Sequence, residues 1–144
     1  MRIVRIAAIL LAVYVVLGVS LDVAIGVFQP QQANTAVLRT YDAHGRPHDT
    51  VLALHDDGGQ LWVESGHWFR GWYHRLLSNP DVELTRGGQT KPYRAVPVDT
   101  PEAVAHLEQL MGRDAGARYT LMRAMLLFAP IKPVRLDPRP APAA

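Results

Sequence analysis

The residues best suited to chemistry in this 144-residue chain fall in one stretch, "GHWFRGWYHRLLSNPDVEL", Gly66 to Leu84. Trp68 and Trp72, with Trp62 just upstream, are all of its tryptophan, and Arg70, Tyr73, His74 and Arg75 stand among them. Indole and phenol rings bury large areas and offer flat faces to another ring. Guanidinium groups are planar forks that match phosphate or carboxylate, and an imidazole titrates near neutrality. Trp68, Trp72 and Tyr73 therefore read either as core packing or as one wall of a pocket for a flat, charged ligand. Arg70 and Arg75 are either solvated or anion contacts, and His74 is either a surface or capping residue or a proton donor. Ser65, just before Gly66, offers a hydroxyl and a backbone amide in the same place.

Other chemistry is sparse. His44, His48 and His55 fall on one expected hairpin. A His-x-x-x-His spacing directs two ligands one way on a helix but not on a hairpin, so metal or haem is the least favoured reading and no metal site is expected. There is no Gly-x-Ser-x-Gly elbow and no pairing of carboxylates. The absence of cysteine excludes a disulfide framework, a thiolate metal site and a cysteine nucleophile. A net charge of +2 with scattered basic residues leaves no footprint for nucleic acid.

The elements that must position these residues follow from pattern. "NTAVLRTY", Asn34 to Tyr41, and "HDTVLALH", His48 to His55, have strand composition and flank the turn "DAHGRP". "DDGG", Asp56 to Gly59, predicts a hairpin into Gln60–Ser65, where Leu61 and Val63 face one side and Trp62 and Glu64 the other. Trp68, Trp72 and Leu76 recur every four residues, which predicts a helix over Trp68–Leu77, stopped at Asn79-Pro80. Strands are expected over Asp81–Thr85, with Val82 and Leu84 inward, and over Gln89–Val98. Thr100, Pro101 and Glu102 predict a helix start, and Gly112 its end. A further helix over Ala115–Phe128 and a last strand, "KPVRLDP", complete the set. About six strands joined mostly by hairpins, with about three flanking helices, give an α+β fold: a mostly antiparallel small barrel over residues 34–138. Residues 139–144, Pro- and Ala-rich, are expected to be a disordered tail.

In front of the barrel stands an apolar segment. Ile6 to Phe28 is 23 residues long, interrupted by Ser20 and Asp22. As a helix it would cover about 34 Å, enough to span a hydrocarbon core. It reads as a single-pass N-terminal anchor, with a cleaved signal peptide as the alternative, and residues up to 30 include a short linker. Arg2 and Arg5 precede it and no cation follows until Arg39, so the positive-inside rule puts the domain on the extracytoplasmic side.

Three blocks in order, "GWYHRLLSNPDVEL", "YRAVPV" and "KPVRLDP", resemble the split-barrel, deazaflavin-dependent nitroreductase and quinone reductase family. The first is similar to that family's Trp-Tyr-His-Asn-Leu-x-x-Asn-Pro-x-Val helix and strand. The resemblance covers roughly Ala36 to Pro138. It implies a flavin-type split barrel that binds an 8-hydroxy-5-deazaflavin coenzyme, or alternatively FMN, and passes hydride to a quinone, nitro or enone compound. It further implies that Gly45, Arg46 and His48 contact the cofactor's phosphate end and that Ser65, Gly66, Trp68 and Trp72 bound its ring. His74 or Tyr73 would donate a proton or hydrogen bond to the acceptor, and split barrels of this type often pair as homodimers. Where the family carries Gly-Arg-Lys-Ser-Gly between its first two strands, this chain reads "YDAHG", with Asp42 and Ala43 in place of the two cations. That difference supports a second reading, a split barrel without redox cofactor that binds a lipid-like or aromatic ligand in the cell envelope.

Overall fold

The computed structural model describes residues 2–28, 34–66, 70–125 and 127–140. The expected linker, the block His67–Phe69 that contains Trp68, and residues 141–144 of the expected tail lie outside the described residues.

An N-terminal helix, α1 (Arg2–Phe28), contains a window, Ile3–Ser20, long and apolar enough to cross a membrane. Its described residues are exposed apart from Gly18. It meets the rest of the chain where the Tyr14 hydroxyl donates to the Ala124 carbonyl and where Gly18 lies against Leu127.

Seven strands follow: β1 (Thr35–Tyr41), β2 (Pro47–Ala53), β3 (His55–Asp57), β4 (Gln60–Ser65), β5 (Asp81–Arg86), β6 (Gln89–Pro97) and β7 (Lys132–Pro138). Helix α2 (Gly71–Ser78) lies between β4 and β5, and α3 (Pro101–Ala115) and α4 (Arg118–Met125) between β6 and β7. All strands join one antiparallel sheet in the order β2-β1-β5-β6-β7-β4-β3. Its two outer strands, β2 and β3, are consecutive in the chain, so the sheet curls back on itself. This is the α+β split barrel that the sequence predicts.

The expected second strand, His48–His55, is two strands. Ala53 pairs with Thr35 of β1, whereas His55 pairs with Trp62 of β4. Between them the Leu54 N–H donates to the Asn34 carbonyl and its side chain is buried. The chain must change partner where the sheet closes, and that exchange ends one strand and starts another.

Period-two alternation fills the barrel. Ala36, Leu38, Leu52, Leu61, Val63, Val82, Leu84, Ala95, Val134 and Leu136 pack inside it, closed by Trp72, Tyr73 and Leu76 of α2. A smaller core lies outside, where Trp62 meets Leu107, Leu110 and Met111 of α3 and Ile131. Both faces of β4 are therefore covered, with Leu61 and Val63 inward and Trp62 outward as the alternation requires.

Several expected helix boundaries move. Helix α2 begins at Gly71 rather than Trp68. Helix α3 runs through Gly112 to Ala115, because Gly116, at φ 58°, takes the left-handed terminal position instead. One mid-helix glycine costs only about 0.5–1 kcal/mol, which packing offsets. Helix α4 ends at Met125, ahead of Leu127 and Phe128, whose φ values of 57° and 49° are outside helical geometry. At the start of α3 the Thr100 hydroxyl accepts from the Ala103 N–H at 3.2 Å, as a cap should. Thr100→Ala is expected to cost about 1 kcal/mol, measurable as a lower denaturant midpoint of the full chain in detergent.

Candidate functional site

Helix α2 carries the sequence's main candidates. Its buried side is Trp72, Tyr73 and Leu76, and the chain leaves the helix at Asn79, whose N–H donates to the Arg75 carbonyl at 2.8 Å. Trp72 is 3% exposed and meets Tyr73 edge-on, the ring centroids 5.9 Å apart. Both rings belong to the barrel core. His74 points away from that core and is exposed, with its ring 6.3 Å from that of Tyr73. The ammonium of Lys132 lies 5.8 Å from the Tyr73 ring centroid, within cation–π range.

Lys132 opens β7 and pairs across the sheet with Ser65, the last residue of β4. Ser65 is 1% exposed, and a Cβ on Gly66 beyond it would meet none of the described residues within 4 Å. Ser65, Gly66, Tyr73, His74 and Lys132 thus gather at one end of the barrel. Lys132 is the member that sequence reasoning missed. Its place depends on β4–β7 register across some 70 residues of chain, for which no local pattern stands.

The other half of the predicted site is the β1–β2 turn. Asp42 organises it. Its Oδ1 accepts from the backbone N–H of His44 at 2.9 Å and of Arg46 at 3.0 Å. Its Oδ2 accepts from Arg46 Nε at 2.8 Å and lies 3.3 Å from His48 Nε2. An ionised carboxylate only accepts, so Nε2 is the protonated nitrogen of that ring. Gly45 supplies the left-handed residue of the turn at φ 74°. The Arg46 amide, above all, together with the His48 and Arg46 side chains and the His44 amide, holds Asp42 well below the usual carboxylate range against the opposing effect of burial.

The turn and α2 meet through Arg75. Its Nε donates at 2.8 Å to the hydroxyl of Thr40, which is fully buried at the end of β1. Gly71 leaves the guanidinium its room, because a Cβ there would come within 3.1 Å of it. Burial lowers the Arg75 pKa, and the nearby Asp42 charge works the other way. The structure therefore brings Gly45, Arg46 and His48 together with Asp42, and ties them to α2 by way of Arg75.

These residues do not fit a cofactor phosphate. The donors that would receive its oxygens are two turn amides, Arg46 and His48, and all four are engaged by Asp42. Ala43 contributes no charge.

The remaining histidine of the hairpin, His55, is elsewhere. It is 5% exposed on β3, with Nδ1 2.6 Å from Asp114 of α3 and Nε2 3.1 Å from Glu64 of β4. His44, His48 and His55 do not converge. Clefts among the described residues include one of about 200 Å³ beside Tyr41, Glu83, Pro92 and Arg139 and one of about 170 Å³ at Leu61, Leu84, Gln89 and Tyr93. Neither is lined by a residue of the predicted site. Arg139, at the start of the expected tail, pairs with Asp81 at 2.6 Å.

Comparison with solved structures returns the same fold. An F420-H2 dependent reductase, FDR-A, superposes with TM-score 0.59 at 18% identity, over 72% of this chain and 94% of that one. HutZ, the heme storage protein from Vibrio cholerae, gives 0.57 at 19%, over 77% and 85%. The conserved hypothetical protein Rv2991 from Mycobacterium tuberculosis gives 0.59 at 20%, over 76% and 75%. At these identities the likeness is one of fold. No curated protein matches the chain in sequence. The family model for F420H(2)-dependent quinone reductases matches residues 19–125, from within α1 to the end of α4. The chain belongs to the F420H(2)-dependent quinone reductase family.

Proposed function

We propose that this protein is a membrane-tethered reductase that acts on a flat, electrophilic organic acceptor of the quinone, nitro or enone class. The family match over residues 19–125 carries this reading. Reduced deazaflavin supplies hydride in such chemistry when bound, and the protein's part is orientation, charge pairing and exclusion of water. The barrel end at Ser65, Gly66, Tyr73, His74 and Lys132 is the place for a ring. The phosphate end of a cofactor has no place at the β1–β2 turn. His74, exposed next to Tyr73, is positioned to give a proton to the reduced acceptor, and Lys132 to favour an acceptor oxygen that gains negative charge. Helix α1 keeps the barrel beside a bilayer in which such acceptors dissolve, and the charge asymmetry around it favours the extracytoplasmic side. Two copies pairing as a homodimer belong to the same reading.

A second reading, a binding module without turnover, draws on the engaged β1–β2 turn. The two separate in one assay of the full chain in detergent, with reduced deazaflavin and a short-chain quinone. Protein-dependent oxidation of the deazaflavin that falls about a hundredfold in His74→Ala supports the reductase. Quinone binding by tryptophan quenching with no oxidation supports the module and overturns the reductase.

A further inference from the structure

We infer that the β1–β2 turn is an anion site filled by the chain's own Asp42, so that the domain prefers ring ligands without a phosphate arm to their phosphorylated counterparts. The first half stands on the turn alone, and the second rests on the ring-binding function proposed above. A phosphate recruits turn amides and cationic side chains, because both present N–H groups to an oxygen bearing charge. Asp42 contacts every member of that set: Oδ1 takes the amides of His44 and Arg46, Oδ2 the Nε of Arg46 and the Nε2 of His48. The arrangement closes further through the backbone, where Gly45 donates to the Asp42 carbonyl at 2.9 Å and Asp42 to the Arg46 carbonyl at 3.1 Å.

A free phosphate must compete with this carboxylate for the same donors. The carboxylate is tethered two to six residues from them, so its effective concentration is millimolar or above whatever the solution contains. A bound phosphate would also have to lie beside the Asp42 charge, and like charges at that distance repel. Arg75 commits its Nε to Thr40, and its guanidinium lies against Gly71. Among the described residues a ligand entering at Gly66 and Lys132 meets no such competitor, provided it brings no phosphate to the turn.

The test uses the full chain in detergent micelles, wild type and Asp42→Asn. Asparagine keeps the Oδ1 acceptor for the two amides and so keeps the turn, but drops the charge that holds Arg46 and His48. Asp42→Ser, with a hydroxyl acceptor, stands in if the asparagine variant loses its dispersed amide spectrum. In the first arm, inorganic phosphate is titrated while the backbone amide signals of His44, Gly45 and Arg46 are followed. Those signals should move saturably in the variant and stay still in the wild type at the same concentrations. Saturable movement in the wild type, or none in a folded variant, overturns the filled turn. In the second arm, tryptophan quenching compares a riboflavin-level deazaflavin, which lacks phosphate, with its 5′-phosphate. The wild type should bind the first about fivefold more tightly, and Asp42→Asn should remove or reverse the gap. Equal or tighter binding of the phosphate by the wild type overturns the preference. If neither ring binds while the first arm succeeds, the filled turn is upheld and the ring-binding function is the part that fails.

Discussion

His55→Ala is expected to destabilise the domain by about 3–5 kcal/mol, the cost of removing one partner from a buried ion-pair network. The imidazole is enclosed, and each ring nitrogen faces a carboxylate, Asp114 at 2.6 Å and Glu64 at 3.1 Å. Two acceptors require two N–H donors, so the ring is an imidazolium. It joins β3, β4 and the last turn of α3, beside the bond from Arg113 to the Asp56 carbonyl and His106 3.2 Å from Asp57. Alanine would leave Glu64 and Asp114 facing each other across a cavity with no cation between them. Denaturant titration of the full chain measures the loss. His55→Gln, with an amide that can reach one carboxylate, should recover part of it. If His55→Ala unfolds at the wild-type midpoint, the three side chains do not form the clamp that their geometry describes.

The same clamp sets a pH dependence. Burial, the largest single influence, pushes the His55 pKa down, but the hydrogen bonds and charges of Glu64 and then Asp114 together carry it above the ordinary 6.5. A raised pKa in the folded state means that the folded protein binds the proton more tightly than the unfolded chain. The stabilisation is therefore complete below the unfolded value and lost as pH climbs through the folded one. Asp114 behaves oppositely. Burial raises its pKa, but the bonds from His55 and Arg113 outweigh this and lower it, so its contribution holds above the ordinary carboxylate value and disappears in acid. The groups facing His55 are these two carboxylates, with Arg113 behind Asp114. Denaturant midpoints should fall as pH rises above about 6.5 in the wild type, and that slope should flatten in His55→Gln.

How much of this was legible before any coordinates depends on the range of the interaction. Leu61 and Val63 against Trp62 and Glu64 is a period of two, written in consecutive letters, and β4 follows it. The Thr100 cap and the Asn79-Pro80 stop are equally local. The break at Leu54 is not local, because nothing in "HDTVLALH" says that the sheet closes there. Gly112 looks like a helix end, and only the left-handed φ of Gly116 shows that the helix runs past it. At the candidate site, Asp42 was visible as a departure from the family turn. Its fate was not, since a carboxylate in that place could equally point to solvent. Thr40 and Arg75 are 35 residues apart, and His55 and Asp114 are 59 apart. Pairs at such separations carry no sequence signature of their own. The buried clamp was missed because each member, taken singly, looks like an ordinary surface residue.

Trp72 is the position at which fold and site compete, and a pair of substitutions distinguishes them. At 3% exposure, packed in the barrel core with Leu76, which is 1% exposed, its indole fills the space that α2 closes. Trp72→Ala is expected to cost about 3–5 kcal/mol, from lost burial plus the cavity left behind. That is a large part of the total stability of a domain this size. Trp72→Phe keeps a ring against Tyr73 and should cost much less, about 1–2 kcal/mol, as a partial volume loss. A pocket wall would give the opposite pattern, with ring-ligand affinity falling in both variants while the denaturant midpoint hardly moved. The expected result is a large drop in midpoint for alanine and near-normal quinone binding for phenylalanine. Any affinity lost in Trp72→Ala would then follow from the loosening of α2, which carries Tyr73 and His74, and it should return on adding a stabilising osmolyte, because excluded solutes favour the packed state. Loss that persists in the fully folded variant would instead make the indole a direct contact of the ligand.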